Sequence, residues 1–252
     1  MLLYLKQLEN NNGKHKVLKI HSNNKNVDAR SPSVKQNCSV QDVLKCRTAI
    51  AFFIGGAGDK ETYYTTGPFK NVEEAMDLFD PKLSDLISKY SYTSIYLGYN
   101  EVRGYENINK NVIAKIPSRT TSIFIVGHSL GGWNGAHLSE ILNNKNFKVE
   151  MLVTLDPVGE GVLVWVGSNI HRGTPKPKTN FWINILAKPS SPDSSDRVAD
   201  FGERWIVDKG PNINHIADIH HYNARGLFFC PLAGGKTAAD IMHDSIRSLV
   251  AA

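Results

Sequence analysis

Residues 122–135 read SIFIVGHSLGGWNG. The first five, Ser122 to Val126, form a short continuous apolar run, the pattern of a strand covered on both faces. From Gly131 to Leu142 the spacing predicts a helix. Between strand and helix, Gly127-His128-Ser129-Leu130-Gly131 is G-x-S-x-G in the context that gives the pattern its meaning. The chain must turn sharply there, which forces the middle residue into a strained backbone. Neighbouring segments approach closely, so hydrogen-sized side chains are needed at Gly127 and Gly131. The turn lifts the Ser129 hydroxyl above the C-terminal edge of the sheet, near the positive end of a helix dipole. Ser129 is the candidate nucleophile.

The same alternation extends in both directions. Thr48–Ile54 (TAIAFFI) is another buried strand, ending at Gly55-Gly56-Ala57-Gly58. Helical spacing covers residues 71–89, with Pro81 opening a second turn, and residues 105–116, closed by Pro117. Ser94–Leu97, Met151–Leu155 and Phe181–Leu186 read as strands, and residues 237–250 as a terminal helix. Strands alternating with helices predict an α/β fold, a mostly parallel central sheet with helices on both faces. No linker divides the chain, so one domain is expected over residues 1–252, with a polar entry at 9–30 that holds at most an edge strand or hairpin, and a loop at 31–47.

Composition excludes several classes. The chain has 252 residues, 41% hydrophobic and 21% charged, ample for a core without disulfide or metal. Glycine (20) and proline (11) are near average, against a collagen-like or low-complexity chain. No apolar run approaches the length of a membrane-spanning helix. The charge is +5, and no block of five like charges exists, so no nucleic-acid partner is expected. Cys38, Cys46 and Cys230 form no metal spacing; a Cys38–Cys46 bridge is the one pairing their spacing suggests. Met1–Leu8 lacks an h-region and a cleavage site, so no signal peptide is read and synthesis in the cytoplasm is expected.

The stretch GHSLGGWNGAHLSEIL, residues 127–142, resembles the nucleophile elbow of α/β-hydrolase lipases and esterases. The resemblance extends in order over roughly residues 48–230. It implies an α/β-hydrolase fold and a Ser-His-Asp triad in the chain order Ser, Asp, His. The chain looks most like small bacterial lipases, including those delivered as antibacterial toxins by type VI secretion. That likeness implies export without a signal peptide and an immunity protein as partner.

A hydroxyl needs a general base, and the base needs an orienting carboxylate. The acid should follow a strand after the nucleophile. Asp156, in Leu155-Asp156-Pro157, is similar to the L-D-P segment of pancreatic-type lipases and is preferred. Asp196, beyond the next strand, resembles the D-x-V-P of fungal-type lipases and stays open, as does Asp193. The base must come last. Residues 212–221 offer His215, His220 and His221, with His221 preferred and His215 the choice if the preceding strand is Trp205–Val207. His128 and His137 read as packing residues, and His15, His21, His171 and His243 as surface or lid residues. A metal reading of His215, Asp218, His220 and His221 fails on strand geometry, because alternate residues face opposite sides. No metal and no cofactor are expected.

Two backbone N–H groups should hold the developing oxyanion. Leu130, directly after the nucleophile, supplies one; Gly56 is preferred for the other, with Gly55 and Ala57 beside it. Residues 161–180 join an apolar half (Val162–Val166) to a basic half (His171, Arg172, Lys176, Lys178) and are expected to form a lid or cap. Such a segment suits peripheral contact with a membrane. The expected activity is a serine carboxylic-ester hydrolase, a lipase or phospholipase acting on lipid or another ester. A thioesterase or acyltransferase on the same fold is one alternative, and a non-catalytic hydrolase-like scaffold the other.

Overall fold

Strand β3 (Ser122–His128) sits inside a six-stranded sheet whose order is β2-β1-β3-β4-β5-β6, every neighbouring pair parallel. The other strands are β1 (Ala49–Gly55), β2 (Tyr92–Gly98), β4 (Lys148–Leu155), β5 (Phe181–Ala187) and β6 (Ile213–Ala217). This computed structural model describes residues 47–63 and 65–251, all within one compact unit, Val40–Ala252. The extension of that domain over Met1–Ser39, the polar entry at 9–30, the Cys38–Cys46 bridge, the N-terminal reading, His15 and His21 lie outside the described residues.

The apolar runs are continuous because the sheet is covered on both sides. In β1, Ala51 and Phe53 join one core with Val72, Phe79, Leu227 and Met242; Ile50, Phe52 and Ile54 join the other with Trp133, Leu138 and Leu142. The first face carries helices α1 (Asn71–Phe79), α7 (Ala224–Phe229) and α8 (Ala238–Ala251). The second carries α3 (Tyr105–Asn111) and α4 (Leu130–Asn144). This is the three-layer α/β architecture, helices on both faces of a parallel sheet, expected from the alternation of elements.

The helical stretch over 71–89 divides at Pro81, where the second turn is expected to open. α1 ends at Phe79, a 3-10 turn spans Asp80–Leu83, and α2 (Ser84–Ser88) follows. Two further short helices, α5 (Val162–Gly167) and α6 (Ser194–Phe201), lie between strands β4 and β6. Both were absent from the sequence reading as helices. Most of their large apolar residues face outward: Val162, Leu163, Val166, Val198 and Phe201 are exposed, while only Val164, Trp165 and Ala199 meet the core, so the period that reveals a core-facing helix is weak.

The chain runs from β1 outward to β2 and then back across β1 to β3. The loops leaving β1 and β3 therefore diverge at the C-terminal edge of the sheet. That is the crevice where open parallel sheets place their ligands.

Candidate active site

Ser129 stands at the end of β3 with φ 54° and ψ −126°. For a non-glycine residue this is a strained conformation, and strain of this kind persists only where the surroundings over-determine it. They do so here. The Ser129 N–H donates to the Leu155 carbonyl (3.1 Å), and its own carbonyl accepts from Gly132 (2.9 Å) and Val158 (3.2 Å). A side chain at Gly127 would overlap the Gly131 carbonyl, and one at Gly131 the Ile54 carbonyl. The elbow is thus closed against both its own helix and β1, as the G-x-S-x-G pattern requires.

Asp156 is the first residue after β4, in the strand paired to the elbow's own. It too has a positive φ, 41°. Its N–H donates to the Ile185 carbonyl (2.7 Å), and its Oδ1 accepts from Ala187 N–H (3.0 Å). Two adjacent parallel strands therefore end in residues with positive φ at the same edge of the sheet.

His221 follows β6 by four residues and closes the series. Its Nδ1 lies 2.6 Å from Asp156 Oδ2, and its Nε2 lies 3.1 Å from Ser129 Oγ. A carboxylate can only accept, so Nδ1 carries the proton and Nε2 presents its lone pair to the hydroxyl. All three residues are buried, Asp156 completely. Burial works to raise the Asp156 pKa. Hydrogen bonding and charge from His221, the Arg204 guanidinium and the Ala187 N–H outweigh it and hold the carboxyl below its ordinary range.

The other two acids and bases have different surroundings. Asp196, on α6, accepts from the His220 ring (Nδ1–Oδ2 2.8 Å) and from the His221 backbone N–H (2.9 Å), not from the His221 ring. Burial opposes its ionisation, but these donors and the Asp193 N–H lower its pKa to about 2. Asp193 caps α6, its carboxylate accepting from the N–H groups of Ser195 and Asp196. His215 lies on the edge strand β6, paired with Ile185. Hence the structure joins Ser129, His221 and Asp156, while Asp193, Asp196 and His220 form a neighbouring cluster that touches the loop of His221. Of the four residues weighed as metal ligands, Asp218 instead takes hydrogen bonds from the N–H and hydroxyl of Ser190.

Gly56 faces the elbow. A side chain there would come within 2.6 Å of Ser129 Cβ and 3.1 Å of its Oγ. The loop carrying it is held by buried Asp59, whose carboxylate accepts from the N–H groups opening α1, Asn71 (2.5 Å) and Val72 (3.2 Å), and from Tyr96 hydroxyl (3.0 Å). Ala57 and Leu130 line a cavity of about 190 Å³ that opens beside Ser129 and His221. Its far wall is apolar, from Leu163 and Val164 of α5 and Val198 and Phe201 of α6.

The segment 161–180 divides. Its apolar half is α5 and borders the cavity. Its basic half does not: it runs along α4 away from Ser129, with Gly173 carbonyl accepting from His137, Lys178 N–H donating to Ser139, and Lys178 Nζ to Asn144 near the far end of the helix.

Three supporting residues escaped the linear reading. Arg204 pairs with Asp156, Asp196 and Asp200. Asp59 braces the Gly56 loop. His128, read as packing, is a buried donor to the His221 carbonyl (2.7 Å). Residue spacing does not announce the contacts to Asp156 and to the His221 carbonyl, because they join segments far apart in the chain.

No protein-family model matches the sequence, and no curated protein does. Among solved structures the chain is similar to a presumed hydrolase from Agrobacterium vitis S4 (12% identity, 81% of this chain and 88% of that one, TM-score 0.41). It is also similar to the esterase domain of a Rhodothermus marinus protein (10% identity, 82% and 89%, TM-score 0.39). A third is a presumed cell surface hydrolase from Lactobacillus plantarum WCFS1 (10% identity, 82% and 98%, TM-score 0.37). Likeness at this level says nothing about chemistry, which rests on the side chains.

Proposed function

We propose that this protein is a serine ester hydrolase, a lipase or phospholipase. The observation that carries the reading is the hydrogen-bonded series Ser129–His221–Asp156 at a strained elbow beside an apolar cavity. In this mechanism Ser129 Oγ attacks the ester carbonyl carbon while His221 Nε2 takes the hydroxyl proton. The imidazolium so formed is balanced by Asp156, which remains ionised. The tetrahedral oxyanion is held by the N–H of Leu130 and of the Gly56 loop. The carbon–oxygen bond to the alcohol then breaks, and His221 returns its proton to the leaving oxygen. Water repeats the sequence on the acyl-enzyme, releasing the acid and regenerating Ser129.

The lipid substrate class is supported by the surface around the cavity. Val162, Leu163 and Val166 on α5 and Val198 and Phe201 on α6 are each between 64% and 81% exposed. Exposed apolar side chains gathered on one rim mark an interaction surface more often than scattered ones do. Here the rim surrounds the approach to Ser129, so whatever docks on it delivers its ester to the nucleophile. The cavity beneath is narrow and apolar, suited to an acyl chain rather than a charged group.

A fluorophosphonate probe tests the chemistry without knowledge of the substrate, since it requires only an activated serine. Labelling should map to Ser129 by peptide mass spectrometry and vanish in Ser129→Ala. An unlabelled wild-type protein, with and without lipid present, would overturn the reading. The products then define the reaction: free fatty acid from lipid vesicles supports hydrolysis, and a new ester formed with added alcohol in place of free acid would make it an acyltransferase.

A further inference from the structure

Arg204 is 11% exposed, yet it faces three carboxylates. Its Nε donates to both oxygens of Asp156 (2.9 and 3.2 Å), one terminal nitrogen reaches Asp196 Oδ1 (3.4 Å), and the other pairs with Asp200. The guanidinium is delivered by main-chain pairing. Val158 and Arg204 form an antiparallel bridge, Trp205 N–H donates to the Pro157 carbonyl (2.7 Å), and Gly159 N–H to the Glu203 carbonyl (3.1 Å). The segment that follows Asp156 therefore holds the segment that carries Arg204. Through Asp196 the same cation reaches the His221 loop, because Asp196 accepts the His221 N–H.

We infer that Arg204 is a positioning residue for the proposed triad: it locks Asp156 to the loop of His221 and shares the Asp156 carboxylate with the His221 ring. This rests on the serine-hydrolase reading above. The charge bears on the base because Asp156 lies between the two groups, bonded to both. An acid that already faces one fixed cation stabilises a second, the imidazolium, less strongly. The other charged groups nearby are Asp200 and Asp196 on α6 and His220 beside His221, the last paired with Asp196 and near Asp193. His128, on β3, is buried and uncharged at neutral pH. An arginine fits this place better than a lysine. Its rigid plane of five donors spans the three carboxylates from separate nitrogens, as the compact ammonium of lysine cannot.

The test is the pH dependence of fluorophosphonate labelling, or of kcat/KM on a soluble p-nitrophenyl ester, for the full chain. Arg204→Gln should label more slowly and move the acid limb up by about half a pH unit or more. Arg204→Lys keeps the charge, so its limb should stay at the wild-type position while its rate falls. A folded Arg204→Gln whose limb coincides with wild type, slowed evenly at every pH, would overturn the inference. If Arg204→Gln does not fold, as judged by circular dichroism, Arg204→Met, which keeps the side-chain length without the charge, takes its place with the same expected upward movement. An unmoved limb there, or failure of that variant too to fold, would reduce Arg204 to a packing role. Labelling of the wild type separates the two readings: if Ser129 is labelled and the limb never moves, only the role of Arg204 falls.

Discussion

The Nε2 of His128 donates a hydrogen bond to the backbone carbonyl of His221 at 2.7 Å, joining residues 93 positions apart in the chain. The two rings lie tilted by 36° at 4.7 Å between centroids. The donor is the residue immediately before the candidate nucleophile, and the acceptor belongs to the candidate base. With the His221 N–H held by Asp196, the main chain of the base is fixed on both sides. The distance from Nε2 to Ser129 Oγ is therefore set by β3 itself and not by the loop alone.

Replacing His128 by Phe keeps a ring and removes the donor. The buried His221 carbonyl loses its partner, which costs about 1–3 kcal/mol. The activity of His128→Phe should fall roughly ten-fold, with a matching loss in the rate of labelling at Ser129, measured against the thermal midpoint to separate the two effects.

His128 also makes stability depend on pH. Burial, with the neighbouring His221, lowers its pKa from 6.5 to about 3. The unfolded chain takes up a proton near 6.5, whereas the folded chain holds the ring neutral down to about 3. Unfolding thus binds a proton across that window, and stability falls as pH drops from 6.5 toward 3, by a total on the order of 5 kcal/mol. Urea midpoints at pH 7 and pH 5 should differ more for wild type than for His128→Phe. Asp156 and Asp196, whose pKa values are lowered, add a further loss only once the medium approaches the ordinary carboxylate range. Equal midpoint shifts in the two proteins would remove His128 from the account.

The two aspartates should separate cleanly in kinetics. Asp156→Asn turns the His221 Nδ1 contact from charge-balancing to neutral and disturbs the tautomer, so kcat should fall about a thousand-fold or more. Asp196→Asn retains an oxygen for the His221 N–H, so the loss should be no more than about ten-fold. The reverse order in kcat would transfer the acid's role to Asp196.

Gly56→Ala should nearly abolish labelling and turnover while leaving the fold intact. The added methyl would meet Ser129 Cβ at 2.6 Å, so either the serine or the loop must move. Full activity in a folded Gly56→Ala would mean that the loop after β1 has no part in the chemistry.

The apolar rim can be changed without touching the core. Val162 and Val166 replaced together by serine should leave turnover of a soluble short-chain ester within about two-fold, because surface changes of this kind cost little stability. Hydrolysis of lipid vesicles should fall at least ten-fold. Equal losses on both substrates would argue against a lipid-facing rim.

The sequence by itself determined the layered α/β architecture and the elbow. Continuous apolar runs, helical periodicity and glycine spacing are local quantities, and SIFIV followed by GHSLG carries all three in one stretch. It also limited the acid to three residues and the base to three, because a residue must leave the C-terminal end of a strand to reach Ser129. Tertiary structure decided among them. Asp156 and Asp196 both follow strands and both reach the segment 220–221, but one meets the ring of His221 and the other its backbone. That choice turns on the strained φ of Asp156 and on the main-chain pairing that brings in Arg204, contacts between segments tens of residues apart. The helices α5 and α6 escaped the reading for a related reason. Most of their large apolar residues face away from the core, so their pattern records a surface more than a packing interface.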